Sequence, residues 1–258
     1  MQTDLTNSNK NPDFYLIRLS KAMMIAALMP WLASCGGGGS DTPGNTSPTT
    51  TITSITPVGV VASATPQPLS ILGTNFSGGM TVSVTDKTGS TYAVSSMVVA
   101  SSTVITANVT TTITVPADNY VNVTVKSSSG TTLATAVLGV ASTSRTLLAD
   151  VQPILGLRCG TCHDGSVANG YLDMRDFAAS ASANATGLIG IPSYNCSPRF
   201  RLVPGDPRRT SSVLIDKILA ATSGQAACSG GQMPPASSPR LSPTEIQTII
   251  DWVAGGAK

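Results

Sequence analysis

The sequence is poor in charged and aromatic side chains. Only 11% of its 258 residues are charged and 4% are aromatic, whereas soluble globular domains usually carry about 25% charged residues. The surface must therefore consist largely of Ser, Thr, Asn, Gly and Ala. A formal net charge of +2 gives no electrostatic reason to expect a nucleic-acid partner. The 41% of hydrophobic residues argues against global disorder, which requires low hydrophobicity and high net charge.

Near the N-terminus the apolar run is short. It extends from Ala22 to Ala33, whereas a membrane-spanning helix needs about 20 apolar residues. It follows two basic residues and ends in Leu32-Ala33-Ser34-Cys35, which resembles the lipoprotein box of bacterial signal peptides. The resemblance implies a signal peptide over 1–34 and a lipid on Cys35, and the chain is then exported and anchored, at the outer membrane in a Gram-negative host. An ordinary signal peptide or a buried N-terminal helix remains the alternative.

Two segments of different composition follow Cys35. Residues 35–51 consist mostly of Gly, Ser, Thr, Pro and Asn and predict a flexible tether. Residues 52–141 contain short alternating apolar and polar runs separated by turn residues, which predicts a β-sandwich; three such runs are Met80–Val84, Val104–Val109 and Tyr120–Val125. The Gly73-Thr74-Asn75-Phe76 stretch resembles the immunoglobulin-like IPT/TIG family. The segment contains no His, no Cys, no acidic cluster and no basic patch, which favours a spacer or docking module over a ligand-binding one.

Histidine is the scarcest residue type of the chain that could ligate a metal. Its one histidine stands in Cys159-Gly160-Thr161-Cys162-His163, the C-x-x-C-H signature of covalent haem attachment. Two thiols at this spacing reach the two vinyl groups of one porphyrin, and His163 then ligates the iron. A thioredoxin-like motif would need a βαβ context, a zinc site would need paired ligand spacing, and a structural disulfide would not explain the histidine. We therefore expect one covalent haem c.

The second axial ligand must come from another residue type. The region after Ser142 contains two methionines, Met174 and Met233. Met174 alternates with Leu172, as core residues do, whereas Met233 lies between two glycines and two prolines, in a loop that can present a thioether rigidly. A thioether opposite imidazole suits electron transfer. We predict Met233 as the ligand and keep Met174 as the alternative.

Residues 142–258 are similar to single-haem, class I-like cytochrome c domains, particularly the planctomycete type. The matching stretches are 151–155, 170–174, 203–207, 232–235 and 249–257, and Tyr171 departs from the family, which more often has Gly. The resemblance implies an all-α haem domain in which Cys159 and Cys162 hold the haem and His163 and Met233 ligate it. The predicted fold class is therefore multidomain, an immunoglobulin-like β-sandwich followed by an all-α cytochrome c-like domain.

Helix signals in this region are readable without the family. Ser242, Pro243 and Glu245 predict a capping box that opens the last helix, and apolar spacing predicts helices over 146–157 and 211–221. The two remaining cysteines, Cys196 and Cys228, are expected to form a disulfide because the chain is exported. Arg199 and Arg201 are candidates for contacts with haem propionates or a redox partner, against the alternative of a solvated loop.

The predicted function is that of a membrane-anchored, exported c-type cytochrome. It transfers electrons between unidentified redox proteins and is not an enzyme. One alternative is a haem peroxidase or oxidase subunit in which Met233 dissociates. The other is a surface lipoprotein whose β-module binds a partner.

Overall fold

Alternating apolar and polar residues produce the strands of the first half of the chain. The structure, a computed structural model, describes residues 48–111, 115–116, 118–164, 172–174, 187–219 and 231–258. Its strands are β1 Thr51–Thr56, β2 Gly59–Val61, β3 Gln67–Thr74, β4 Thr81–Thr85, β5 Thr91–Ser101, β6 Val104–Thr110, β7 Tyr120–Lys126 and β8 Thr132–Ala141. Three strands predicted from the sequence are confirmed within one residue at each end, as β4, β6 and β7.

The eight strands form one hydrogen-bonded sheet in the order β1-β3-β6-β5-β4-β7-β8-β2. The first residues of β5 pair with β4 and its later residues pair with β6. Between them lies an irregularity at 95–98, where Ser96 has a φ of 51°. The sheet bends at this point, as expected of a bulge, and encloses one apolar core. Valine and isoleucine dominate that core, in which Ile71, Ile105 and Val123 are fully buried.

Helices occur in the last third of the chain. A π-helical turn at Leu147–Val151 leads into α1, Gln152–Cys159; α2 spans Val213–Ile218 and α3 spans Pro243–Ala254. The capping box predicted for the last helix is confirmed: Ser242 Oγ accepts from the Glu245 amide at 3.2 Å, and Glu245 Oε2 accepts from the Ser242 amide at 2.7 Å. Capping of this kind satisfies backbone donors that a helix start leaves without partners.

Between α1 and α2 the described chain contains little helix. A 3₁₀ turn lies at Tyr194–Cys196, and isolated β-bridges join Ile189 to Leu202, Pro192 to Phe200 and Phe200 to Ser212. The prolines of this segment, Pro192, Pro198, Pro204 and Pro207, lack the N–H that a helix interior needs. The segment therefore folds as a set of paired loops.

The predicted fold class is wrong. The described residues do not form an immunoglobulin-like sandwich followed by an all-α cytochrome c-like domain. They form a mostly β, barrel-like unit with a few short helices, of which the longest has 12 residues. The helical periodicity that supported the prediction is confined to α1, α2 and α3, and the proline-containing loops interrupt it.

The helices and the sheet belong to the same compact unit, Thr46–Lys258. Helix α3 lies against β2 and β8, where a side chain at Gly59 or Gly139 would collide with the carbonyl oxygen of Ala254. Asp251 of α3, 1% exposed, accepts hydrogen bonds from the amide of Ser142 at 2.8 Å and from Asn119 Nδ2 at 3.3 Å. Backbone contact and a buried carboxylate therefore join α3 to the sheet.

The predicted signal peptide, Cys35 and most of the tether lie outside the described residues. Within the part of the chain that the structure describes, no helix has the length and apolar character needed to cross a membrane.

Candidate functional site

The Cys159–His163 stretch forms a tight turn at the end of α1. The amides of Cys162 and His163 both donate to the carbonyl oxygen of Cys159, at 3.1 and 2.9 Å. Cys159 is 9% exposed and packs into the apolar cluster of this region, whereas Cys162 is exposed. Both cysteines carry free thiols. Two hydrogen bonds to one oxygen thus hold the second thiol and the imidazole close to the helix end that carries the first thiol.

Burial changes the chemistry of Cys159. Desolvation, and secondarily the neighbouring Cys162, raises the pKa of the Cys159 thiol to about 11. This thiol is therefore neutral at physiological pH, as expected of a cysteine in apolar surroundings.

Both thiols and the imidazole open onto one cavity. Its volume is about 240 Å³, somewhat below the range of about 300–1,000 Å³ that is usual for small-molecule pockets. Apolar side chains from α1, α2 and the loops form most of its wall. The cavity is lined by Arg158, Cys159, Thr161, Cys162, His163, Leu172, Met174, Leu188, Ser193, Asn195, Cys196, Arg201, Val213, Leu214, Lys217, Ile218, Met233, Pro234, Pro235 and Ser238.

Met233 reaches this cavity from a distant part of the chain. Its amide donates to the carbonyl oxygen of Lys217, near the end of α2, at 2.7 Å. The neighbouring Gln232 Nε2 donates to the carbonyl oxygen of Ile218 at 3.4 Å. The half-buried Met233 is therefore positioned by α2, and the structure brings it to the same cavity as His163.

Met174 lines the cavity as well, and its setting differs from that of Met233. Its amide donates to the carbonyl oxygen of His163 at 2.5 Å. The side chain is 3% exposed and belongs to the apolar cluster formed with Leu155 and Leu188. Met174 is thus tied to the backbone of His163 and packed as a core residue.

The structure separates the two arginines that the sequence placed together. Arg201 lines the cavity, is 6% exposed, and donates from Nη1 to the carbonyl oxygen of Gly187 at 2.6 Å. Burial lowers the pKa of its guanidinium. Arg199 does not line this cavity; it donates to Asp216 Oδ2 at 3.1 Å and to the carbonyl oxygen of Arg209.

Two further cationic side chains line the cavity and were not predicted from the sequence. Arg158 donates from Nε to Glu245 Oε1 at 2.9 Å and so connects the end of α1 to the start of α3. Lys217 donates from Nζ to the carbonyl oxygen of Gly231 at 3.3 Å. Desolvation lowers the pKa of Lys217, and Asp216 partly offsets this effect. The position of Arg158 next to Cys159 was the one sequence signal that could have identified it.

The cysteine pairing is resolved in part. Cys196 is disulfide-bonded and lines the cavity wall. Cys228 and Cys35 lie outside the described residues, so the Cys196–Cys228 pairing and the lipid on Cys35 stay predictions. Among the described residues, no three His, Cys, Asp or Glu side chains form a group that could hold a metal ion.

The donor set of the cavity fits a covalently bound haem. Two free thiols, one imidazole and the thioethers of Met174 and Met233 line a single cavity whose wall is mainly apolar. Porphyrin attachment requires the thiols, and axial ligation of its iron uses imidazole and thioether. The buried guanidinium of Arg201 matches the carboxylates that the group carries.

Comparisons with known proteins add little to this description. No protein-family model and no curated protein matches the chain. Among solved structures, the crystal structure of the Lin-41 filamin domain is similar at 11% identity and a TM-score of 0.27, over 35% of this chain and 92% of that one.

Proposed function

We propose that the protein is a c-type cytochrome that transfers single electrons through one covalent haem. The observation that carries this proposal is the convergence of Cys159, Cys162, His163 and Met233 on one cavity. Cys159 and Cys162 would hold the haem through thioether bonds, and His163 and Met233 would ligate its iron. When bound, the haem would supply one-electron redox chemistry at its iron.

The protein's own residues would bind the group and keep it dry. Leu188, Leu214 and Ile218 are buried side chains of the cavity wall, and an apolar wall limits solvent access and so raises the reduction potential. The thioether of Met233 acts in the same direction. The buried guanidinium of Arg201 would pair with a haem carboxylate, a charge-assisted contact of the strong class.

The cellular setting is part of the proposal. The signal-peptide pattern and Cys35 support export and attachment to the outer membrane by lipid. Covalent haem attachment and a disulfide at Cys196 are both consistent with an oxidising compartment. The partners would be a redox protein that donates the electron and another that accepts it.

Spectroscopy of the exported, full-length protein tests this function. We expect haem that stays with the polypeptide on a denaturing gel, a reduced α-band typical of haem c, and a methionine–iron charge-transfer band in the ferric state. The double variant Cys159→Ser/Cys162→Ser should lose all covalent haem. Haem that is removed by denaturation from the wild-type protein would contradict the proposal.

Two methionine variants identify the sixth ligand. Met233→Ala should keep covalent haem, lose the charge-transfer band and have a lower reduction potential, because the iron loses its thioether. Met174→Leu is the matched control, since it conserves volume in the apolar cluster and should keep the band. The opposite result would assign the ligand to Met174.

A further inference from the structure

The segment 233–235, which contains the proposed iron ligand Met233, has few backbone hydrogen-bond donors. Met233 is followed by Pro234 and Pro235, and proline has no N–H. The one amide of this triplet, that of Met233, is used by the carbonyl oxygen of Lys217 at 2.7 Å. Any second backbone tether of the triplet must therefore use one of its carbonyl oxygens as an acceptor.

Arg240 supplies such a tether. Its Nη1 donates to the carbonyl oxygen of Pro234 at 2.5 Å. Pro234 is buried and lines the cavity beside Met233. Arg240 itself is exposed and comes after the turn in which the amide of Ser238 donates to the carbonyl oxygen of Pro235 at 2.9 Å. The guanidinium thus closes the loop from Pro234 to Arg240 across its base.

The two tethers act on opposite sides of the Met233 side chain. The Lys217 carbonyl holds the N-terminal side of the residue, and Arg240 holds the peptide group of the following residue. One tether alone would let the segment rotate about its anchor, whereas tethers on both sides fix the backbone from which the thioether projects. From this geometry we infer that Arg240 is a positioning residue for the sixth ligand, a role that rests on the proposed function.

The effect of removing the tether has a predictable size. A tenfold change in an equilibrium constant corresponds to about 1.4 kcal/mol, which is close to the lower limit for a hydrogen bond from a charged donor and suits an exposed side chain such as that of Arg240. Arg240→Gln should therefore raise the fraction of molecules with a displaced Met233 about tenfold. Arg240→Lys keeps the charge and one donor but not the planar fork, and it should lie between Arg240→Gln and the wild type.

Imidazole is a suitable probe because it would compete with Met233 for the iron of the bound haem. The experiment titrates the full-length, haem-loaded protein with imidazole and follows loss of the methionine–iron band. We expect Arg240→Gln to bind imidazole about tenfold more tightly than the wild type. Lys126→Gln removes the same charge from strand β7 and is the matched control, with an expected affinity equal to that of the wild type.

The possible outcomes distinguish a failure of this inference from a failure of the proposed function. Imidazole affinities of Arg240→Gln and Lys126→Gln that agree within about twofold would overturn the role of Arg240, provided that both proteins show the band. If Arg240→Gln does not fold, Arg240→Met replaces it, because methionine is an unbranched side chain without a donor, and an affinity equal to the wild type overturns the inference. A wild-type protein with covalent haem and no methionine–iron band overturns the ligand set and the role of Arg240 together.

Discussion

The two apolar cores of this chain are built on different principles. In the core of the sheet, β-branched side chains project from strands whose backbone groups pair with one another along the ladders. In the C-terminal core, the residues come from short helices and loops. There, side chains often satisfy the backbone, as when Arg201 donates to the carbonyl of Gly187 and Ser212 Oγ donates to that of Asp206.

This difference has a consequence for ligand binding. The core of the sheet closes on itself, whereas several members of the C-terminal core, among them Cys159, Met174 and Leu214, also line the cavity. A core with one side open to a cavity loses packing contacts on that side. A ligand that binds the folded state adds its binding free energy to stability, so occupancy should stabilise the C-terminal core much more than the sheet.

The largest expected effect is at the junction of the two regions. Asp251→Ala removes the acceptor of Ser142, Asn119 and Gln247. Losing the hydrogen bonds that this buried carboxylate accepts should lower the free energy of unfolding by about 4 kcal/mol, as measured by urea denaturation. Far-ultraviolet circular dichroism of the sheet and absorbance of the haem should then lose their common midpoint, because the carboxylate connects the regions they report on.

Asp118→Asn is the control for this substitution. Its carboxylate pairs with Lys87 at 3.3 Å, and both side chains are exposed. Removing an exposed pair should change the free energy of unfolding by about 0–1 kcal/mol. Equal effects of Asp251→Ala and Asp118→Asn would show that the buried network does not join the two regions.

A pair of core substitutions compares the regions directly. Ile71 in the sheet and Leu155 in α1 are both fully buried, and replacing either with Ala should lower the free energy of unfolding by about 3 kcal/mol. The two variants should differ in the haem spectrum. Leu155 precedes Cys159 by one helical turn on the same face, so Leu155→Ala should weaken the methionine–iron band, whereas Ile71→Ala should leave it unchanged. Equal spectra in both variants would contradict this difference.

Local patterns predicted the elements better than their assembly. The alternation in 120–125 predicted β7, and the Ser242-to-Glu245 spacing predicted the start of α3, because both depend on contacts within a few residues. The bend of the sheet at Ser96 and the bridges from Ile189 to Ser212 depend on contacts between distant segments. Patterns within a short window do not contain that information.

The same difference between local patterns and contacts of distant segments applies to the functional residues. The motif predicted Cys159, Cys162 and His163, and scarcity of methionine suggested Met233; the structure brings all four to one cavity. Asp251 was missed because a carboxylate on an amphipathic helix usually faces solvent, and its burial depends on Ser142 and Asn119 of another region. Arg240 was missed for a similar reason, since its role arises from the lack of donors in the two prolines that it faces.

The smallest expected effect concerns pH and the contact between α1 and α3. The Ser242 amide, and secondarily Arg158, lowers the pKa of Glu245 below its ordinary value of 4.5. A carboxyl with a lowered pKa in the folded state stabilises the protein above its unfolded pKa, and this stabilisation is lost as the pH falls through the folded pKa. Glu245→Gln should therefore cost about 1 kcal/mol at pH 7.

The same variant should lose its difference from the wild type in acid. As the pH falls through the lowered pKa of Glu245, both side chains become neutral and can accept similar hydrogen bonds, so the difference between the two proteins in urea denaturation should shrink progressively below pH 4.5. Asp86→Asn is the counterpart in the sheet, where hydrogen bonds from Thr88 and Ser90 lower the pKa of a partly exposed carboxyl. Because water screens that group, its variant should show a weaker pH dependence. A stronger dependence for Asp86→Asn would mean that the sheet, and not the helical contact, controls the acid sensitivity of the chain.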